Sequence, residues 1–257
     1  MRDGLIFTDN VKRAQFALSE LKRRQEASAG RSILVIEGLT GRGKTHFTEW
    51  QVVQDPHVFY VEANADWSSS WLMRDVAEAL GLTREHSVEA NYRHIREAQR
   101  NWIDGRQPRF LIIDEADRII RYSRLIETVR GLHDAGLPLV LAGESGIWGE
   151  ITRKSTRFAD RVGQVVRFGD VSAGEILAAA HDLADLRMEL EVAAEIQGLA
   201  GGNFRRAAKI IEELERIRKA NPGEINRARV VMAVRNLEIA EQRAEKRAAR
   251  RAAAGGG

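Results

Sequence analysis

A short glycine-rich segment carries the strongest chemical signal in the chain. Gly38-Leu-Thr-Gly-Arg-Gly-Lys-Thr45 consists of a glycine, four residues and then Gly-Lys-Thr, between an apolar run and a helix-like stretch. Glycines let backbone N–H groups turn toward an anion, and the N-terminus of a following helix adds positive potential. The segment therefore predicts a phosphate-binding loop for ATP. Its predicted ATP contacts are Gly38, Thr40, Gly41, Arg42, Gly43, Lys44, Thr45 and His46.

Two residues of this loop have predicted roles of their own. Lys44 is expected to contact the β- and γ-phosphates and so to support catalysis. The hydroxyl group of Thr45 is expected to coordinate Mg²⁺. The alternative is a plain glycine turn between a strand and a helix.

An acidic pair follows a second apolar run. In Arg109-Phe-Leu-Ile-Ile-Asp-Glu115, four apolar residues precede two carboxylates, so both acids emerge where a buried strand ends. Nucleotides bind at that edge of an α/β sheet. We predict that Asp114 contributes to ATP binding by holding Mg²⁺, and that Glu115 orients or deprotonates the attacking water. Alternatively, the two acids favour the dipole of the next helix.

The elements that position these residues alternate between apolar runs and helix-like stretches. The apolar runs predict strands at Ile33–Ile36, Val58–Val61, Phe110–Ile113, Leu137–Leu141 and Val165–Phe168. The stretches between them predict helices, one of them continuous over 116–135. Strands that are apolar on both faces and alternate with helices imply an α/β fold whose parallel sheet is covered by helices.

These patterns divide the chain into four predicted segments. They are an N-terminal helical segment at 1–30, an α/β nucleotide-binding domain at 31–170, a small all-helical lid domain at 171–221, and a basic helix with a frayed tail at 222–257. The chain has no cysteine, so disulfides and thiolate metal sites are excluded. No apolar run is long enough for a membrane span or a signal peptide, so we expect no membrane association and a cytoplasmic location.

The order of these parts resembles the AAA+ ATPases. The resemblance implies that an arginine of the segment 151–161 enters the site of a neighbouring subunit as a catalytic finger, and hence that the protein forms homo-oligomers. Arg157 and Arg161 are the main candidates, with Arg153 less favoured. An arginine-rich helix face in contact with solvent is the alternative.

Further positions are matched by the same resemblance. Arg205 is implied to reach the γ-phosphate from the lid, although Asn203 before it also suits an ordinary helix cap. A polar sensor is implied at Glu144 or Ser145, where the family usually carries Asn or Thr; a simple loop is the alternative. Asn64 corresponds to a residue that can restrain the catalytic glutamate, but it fits a turn equally well.

The stretch from Leu141-Ala-Gly-Glu144 to Arg161-Val162 resembles a narrower group, the transposition regulators typified by the B protein of phage Mu, with TnsC and IstB as relatives. This resemblance implies ATP-dependent assembly on double-stranded DNA as a filament or ring. It also implies that the protein recruits or stimulates a transposase and directs target choice. The alternatives are a helicase-loader-type replication ATPase, a secretion or signalling ATPase that binds no DNA, and a scaffold that uses ATP only to assemble.

Basic residues provide candidates for the DNA contacts. Arg118, Arg121 and Arg124 follow the acidic pair and are predicted to line the inner face of a ring or filament. Basic clusters at 12–24 and 243–251 can also neutralise phosphates, but either cluster alone is more typical of an exposed helix face or a soluble tail. The sequence carries no base-reading motif, so sequence-independent binding is expected.

Overall fold

The computed structural model describes residues 6–26, 30–105, 107 and 109–254 of the 257-residue chain. Two compact units are formed. One spans Asp9–Gly169, and the other comprises the chain from Asp170 onward together with the residues before Asp9. The first unit contains the phosphate loop and the acidic pair, and the elements described in the second are helices.

A five-stranded sheet forms the centre of the first unit. Its strands are β1 (Ile33–Gly38), β2 (Val58–Glu62), β3 (Phe110–Asp114), β4 (Leu139–Gly143) and β5 (Val162–Phe168). Their order is β2-β3-β4-β1-β5, and every neighbouring pair is parallel. All residues of β1, β3 and β4 are buried, which explains their nearly continuous apolar sequence. The segments that follow these three strands therefore meet at one edge of the sheet.

Helices flank this sheet and bury their apolar faces against it. Those described are α1 (Asp9–Glu26), α2 (Lys44–Gln54), α3 (Ser69–Ala79), α4 (Val88–Asp104), α5 (Asp117–Ile120), α6 (Ser123–Asp134), α7 (Ile147–Lys154) and α8 (Thr156–Ala159). Leu72 of α3, Ile126 of α6 and Phe158 of α8 belong to the same buried cluster as the β3 residue Ile113. The predicted α/β fold with a parallel sheet covered by helices is confirmed.

The helix predicted over 116–135 is divided in two. Tyr122 has extended backbone angles (φ −116°, ψ 114°) and separates α5 from α6. The ammonium group of Lys154 donates hydrogen bonds to the carbonyl oxygens of Ile120 and Arg121, at 2.9 and 3.0 Å. These bonds satisfy acceptors that the break leaves outside a helix. The lysine is distant in sequence, so the local apolar pattern did not indicate the break.

Four helices are described in the second unit. They are α9 (Ala173–Ala184), α10 (Leu190–Ala200), α11 (Phe204–Ala220) and α12 (Arg227–Ala254). Ser172 begins α9 through a capping box with Glu175, and the Asn203 side chain accepts a hydrogen bond from the Arg206 N–H at the start of α11. Buried apolar residues of all four helices form one core. Among the described residues, no helix is long and apolar enough to cross a bilayer.

A buried carboxylate joins α11 to α12. The side chain of Glu213 is 9% exposed and accepts hydrogen bonds from Arg216 Nε and Nη2 at 2.8 and 2.7 Å. It also accepts one from Asn236 Nδ2, on α12, at 2.6 Å. The hydrogen bonds from Arg216, the largest effect, and from Asn236 lower the pKa of Glu213. Burial acts in the opposite direction, but the pKa stays below its ordinary value.

Glu213→Gln is expected to lower the free energy of unfolding at neutral pH by about 1–2 kcal/mol, because a charged acceptor is lost from a mostly buried site. Folding lowers the pKa of Glu213, so its stabilisation is present above the unfolded value near 4.5 and is lost as pH falls through the folded value. Urea unfolding at neutral pH and near pH 3 measures both effects. The exposed neighbour Glu212, changed to Gln, is the matched control. An equal loss of stability at both pH values would contradict this account.

Candidate nucleotide-binding site

The phosphate loop connects the end of β1 to the start of α2. Gly41 and Gly43 have positive φ angles of 80° and 95°, which a residue with a side chain rarely adopts. Gly38 is required for a different reason: a Cβ atom there would lie 2.6 Å from the Phe168 carbonyl oxygen on β5. Of the other residues predicted to contact ATP, Arg42 is buried and His46 is exposed.

Lys44 occupies the centre of this loop. Its side chain is buried, and its ammonium group donates hydrogen bonds to the carbonyl oxygens of Gly38 and Leu39 at 2.6 and 3.2 Å. Burial lowers the pKa of Lys44, while nearby carboxylates, Glu144 and Asp114 first among them, act in the opposite direction. The cation thus lies inside the loop, next to the N-terminus of α2, where a phosphate would find both positive charge and N–H donors.

The acidic pair lies at the adjoining strand end. Asp114 is 2% exposed and accepts hydrogen bonds from the Glu115 N–H at 2.8 Å, the Tyr60 hydroxyl at 3.3 Å and the Thr48 hydroxyl at 3.4 Å. The same Thr48 hydroxyl lies 2.9 Å from the Thr45 carbonyl oxygen and shares its one proton between the two acceptors, so one side chain bridges Thr45 and Asp114. Burial and the charge of Asp114 raise the pKa of Tyr60, which keeps its hydroxyl a donor to this carboxylate.

Glu115 has an uncommon backbone conformation. Its φ angle is 53°, in the left-handed region, which costs a residue other than glycine about 1–3 kcal/mol. Its side chain is partly exposed. The pKa of Glu115 is raised above its ordinary value, chiefly by burial, although the charge of Arg118 acts in the opposite direction. Strain at this position is consistent with a functional carboxylate.

The three arginines predicted to contact DNA lie in different surroundings. Arg118 lies 3.5 Å from a Glu115 oxygen and 3.1 Å from a Glu62 oxygen, and it donates to the Ala63 carbonyl oxygen at 2.7 Å. It is therefore part of the carboxylate network at the sheet edge. Arg121 and Arg124 are exposed.

The end of β4 contributes a contact to the phosphate loop. The Thr40 hydroxyl donates to Glu144 Oε1 at 2.6 Å, and the Glu144 N–H donates to Asp117 Oδ1 at 3.3 Å. Ser145 is exposed. Of the two candidate sensors, Glu144 is the one that contacts the loop. Asn64 accepts a hydrogen bond from the Asp66 N–H at 2.9 Å, so it forms a turn.

The candidate finger arginines also differ in their surroundings. Arg161 holds both carboxylate oxygens of Asp134, at 2.6 and 3.2 Å. Arg153 pairs with Glu150. Arg157 is exposed, and no ion pair is found for it among the described residues. Arg205 lies exposed in the first turn of α11, in the other unit.

Glu37 is a site residue that the sequence interpretation missed. It is buried at the end of β1, directly before the phosphate loop, and pairs with Arg167 of β5 at 2.8 Å. It also accepts a hydrogen bond from the Trp148 N–H at 3.1 Å, in the first turn of α7, where a negative charge favours the helix dipole. It therefore fixes the start of α7 beside the loop. The available signal was an acid between the apolar run and the first glycine of the phosphate loop.

Comparisons with known proteins match this architecture. Residues 26–149 match a family profile described as "AAA domain". The ORC2 protein of Aeropyrum pernix, in its ADPNP-ADP complexes, is similar with a TM-score of 0.65 and 15% identity, covering 92% of this chain and 70% of that one. The ORC1 protein of the same organism, in complex with DNA, gives 0.60 and 19%, covering 92% and 67%. No curated protein matches the chain in sequence.

A third similar structure is domain III of the replication initiation protein DnaA from Thermotoga maritima. Its TM-score is 0.58 at 17% identity, covering 90% of this chain and 94% of that domain. Taken with the loop and the acidic pair, these similarities define the class: the chain has the AAA+ fold. Within this fold, residues 26–149 are the part that matches the AAA domain profile. The resemblance to AAA+ proteins is confirmed at this level, and the narrower resemblance to transposition regulators stays a prediction.

Proposed function

We propose that the protein binds ATP with Mg²⁺ and hydrolyses it to ADP and phosphate. The observation that carries the proposal is the convergence, at one sheet edge, of Lys44 in the phosphate loop, the buried carboxylate of Asp114, the strained Glu115 and the loop-bound Glu144. Lys44 binds the β- and γ-phosphates, and Glu115 accepts a proton from the attacking water or orients it.

The residues present fit a magnesium ion that is shared with the nucleotide. Among the described residues, no three His, Cys, Asp or Glu side chains cluster closely enough to hold a metal alone. Mg²⁺ usually takes one or two protein ligands, with water and substrate phosphates completing its shell. Thr45 and Asp114, linked through Thr48, would hold it. When bound, the ion would neutralise charge on the phosphates.

Removal of divalent cations by EDTA is expected to reduce phosphate release to background, and added Mg²⁺ to restore it. Thr45→Ala is expected to raise the Mg²⁺ concentration for half-maximal turnover by about tenfold or more, since changes around a metal cost that much in affinity. The control is Thr152→Ala, an exposed threonine whose hydroxyl donates to a backbone carbonyl in α7. Turnover at full rate in EDTA would contradict the magnesium assignment.

The oligomer is proposed to complete each site with an arginine from a neighbouring subunit. Arg157 is the favoured finger because it is exposed and has no ion pair among the described residues, whereas Arg161 is already bound to Asp134. A residue that must enter a neighbour's site needs a side chain that is free to do so.

We further propose that the ATP-bound oligomer binds double-stranded DNA without sequence preference and recruits or stimulates a transposase, directing where insertion occurs. The sequence resemblance to the transposition regulators supports a transposase as the partner. The similar structure of ORC1 in complex with DNA supports a DNA-binding role.

A replication role is the second candidate. Its support is the similarity to domain III of the replication initiation protein DnaA. Purified protein with ATP would be added to a transposase strand-transfer assay and, separately, to a replicative helicase in a binding assay. Stimulated strand transfer supports the first role, whereas helicase binding without such stimulation supports the second.

A further inference from the structure

The second half of α12, from Glu238 to Arg251, does not pack against the helical core. Val230, Ala233, Val234 and Leu237 belong to the core cluster or pack against it, whereas every residue from Glu238 to Arg251 is exposed. This half therefore needs another reason for its composition, which is rich in alanine and charge.

The charges of this half are sorted onto two sides. With 3.6 residues per turn, the basic residues lie within about 140° of one another around the helix axis. These are Arg243, Lys246, Arg247, Arg250 and Arg251, here named the basic face. The acids Glu238, Glu241 and Glu245 lie on the opposite side. Sorting of this kind concentrates positive potential along one line of the surface.

The acidic side is the one that meets the rest of the unit. Glu241 lies 3.4 Å from the ammonium group of Lys209 on α11. Arg243 lies about 160° around the helix from Glu241 and therefore points away from α11. No ion pair of Arg243, Lys246 or Arg250 is found within the described part of the chain, so these cations are available to an external anion.

We propose that the basic face of α12 docks against the phosphate backbone of double-stranded DNA. This inference rests on the proposed DNA-binding function and assigns its surface. An α-helix is about 10–12 Å wide and fits the major groove of B-form DNA, about 12 Å wide, where it contacts phosphates on the groove edges. The major groove of A-form RNA is too narrow for it. All five side chains are cationic and can neutralise phosphates, and such contacts position a protein on the duplex without carrying sequence information.

An anionic membrane fits this face less well than a nucleic acid. Helices that lie in a membrane interface bury large apolar residues such as Trp, Phe or Leu. Beyond Ile239, the apolar residues of the described helix are alanines, which offer little surface for insertion. Docking on a DNA duplex requires only the positive charge of the basic face.

A second helix of the chain supplies a matched control. Arg243, Lys246 and Arg250 stand at positions i, i+3 and i+7, and Arg93, Arg96 and Arg100 stand at the same spacing on α4. The α4 arginines are exposed too, but Glu89 and Glu97 lie among them on the same face. Changing either triplet to Gln removes three positive charges at equal spacing, and only the α12 triplet belongs to a face free of acids.

The test measures binding of both triple variants and of the wild type to a labelled duplex, with a non-hydrolysable ATP analogue, at several salt concentrations. The α12 variant is expected to bind on the order of 100-fold more weakly near 0.1 M salt, with a salt slope reduced by about 2.7 per subunit, because each lost phosphate contact removes about 0.9. The α4 variant is expected to bind like the wild type. Both variants should bind the ATP analogue normally.

The outcomes separate this inference from the proposed function. If all three proteins bind the duplex equally, the basic face is not the docking surface, and the DNA-binding function stands. If the wild type does not bind the duplex at all, the inference and the DNA-binding function both fail. Tighter binding to vesicles of anionic lipid, or to an RNA duplex, than to DNA would also overturn the inference.

Discussion

Lys44→Ala is expected to abolish ATP binding, whereas Glu115→Gln is expected to bind ATP normally and lose turnover. The ammonium group of Lys44 lies inside the phosphate loop, so its removal deletes charge-assisted contacts to two phosphates, and affinity should fall by at least about 100-fold. Glu115 lies beyond the strand end and acts on water, so its loss should slow turnover by about 10²–10⁴ while affinity is kept.

Equilibrium binding of a fluorescent ATP analogue and steady-state phosphate release measure the two effects separately. Glu49→Ala, at an exposed position on the same helix as Lys44, is the control and should change neither quantity. Equal ATP affinity in the wild type and in Lys44→Ala would reject the phosphate-loop assignment. Normal turnover in Glu115→Gln would remove its catalytic role.

Arg157→Ala is expected to reduce turnover by about 10³–10⁵ without weakening ATP binding, the effect of losing an arginine finger in phosphoryl transfer. Because the finger acts in a neighbour's site, turnover per subunit should rise with protein concentration. Mixing Arg157→Ala with Glu115→Gln should restore some activity, since one kind of interface then combines an intact arginine with an intact glutamate. Phosphate release measured over a range of mixing ratios tests this.

Two neighbouring arginines make this test specific. Arg153→Ala removes an exposed cation paired with Glu150 and should leave turnover close to wild type. Arg161→Ala breaks the contact with Asp134, so its main expected effect is on stability. Full activity of Arg157→Ala, or no recovery in any mixture, would exclude Arg157 as the finger.

The sheet could be predicted from sequence because its signal is local. Strands buried on both faces, such as Phe110–Asp114, show as continuous apolar runs, and the acids that end them mark the sheet edge. Most of the phosphate loop is equally local, since Gly41 and Gly43 are required by backbone angles within the loop itself. The strands and the phosphate loop depend mainly on residues adjacent in the chain, so residue spacing was sufficient to predict them.

The contacts that complete the site could not be predicted because they join residues distant in sequence. Thr48 and Tyr60 reach Asp114 from a helix and a neighbouring strand, and neither stands in a recognisable motif. Arg118 was predicted to contact DNA from its place in a row of arginines, yet it lies among the carboxylates of Glu62 and Glu115. Periodicity places a side chain on a helix but does not give its partner.

The central claim is that ATP binding at this site creates an assembly that binds duplex DNA. Titration of a labelled duplex with wild-type protein in ATP, in ADP and without nucleotide tests it most directly. Cooperative, salt-sensitive binding in ATP alone is the predicted result, because each subunit adds weak phosphate contacts that sum only in an oligomer. Equal binding in all three conditions, or none in any, would contradict the claim.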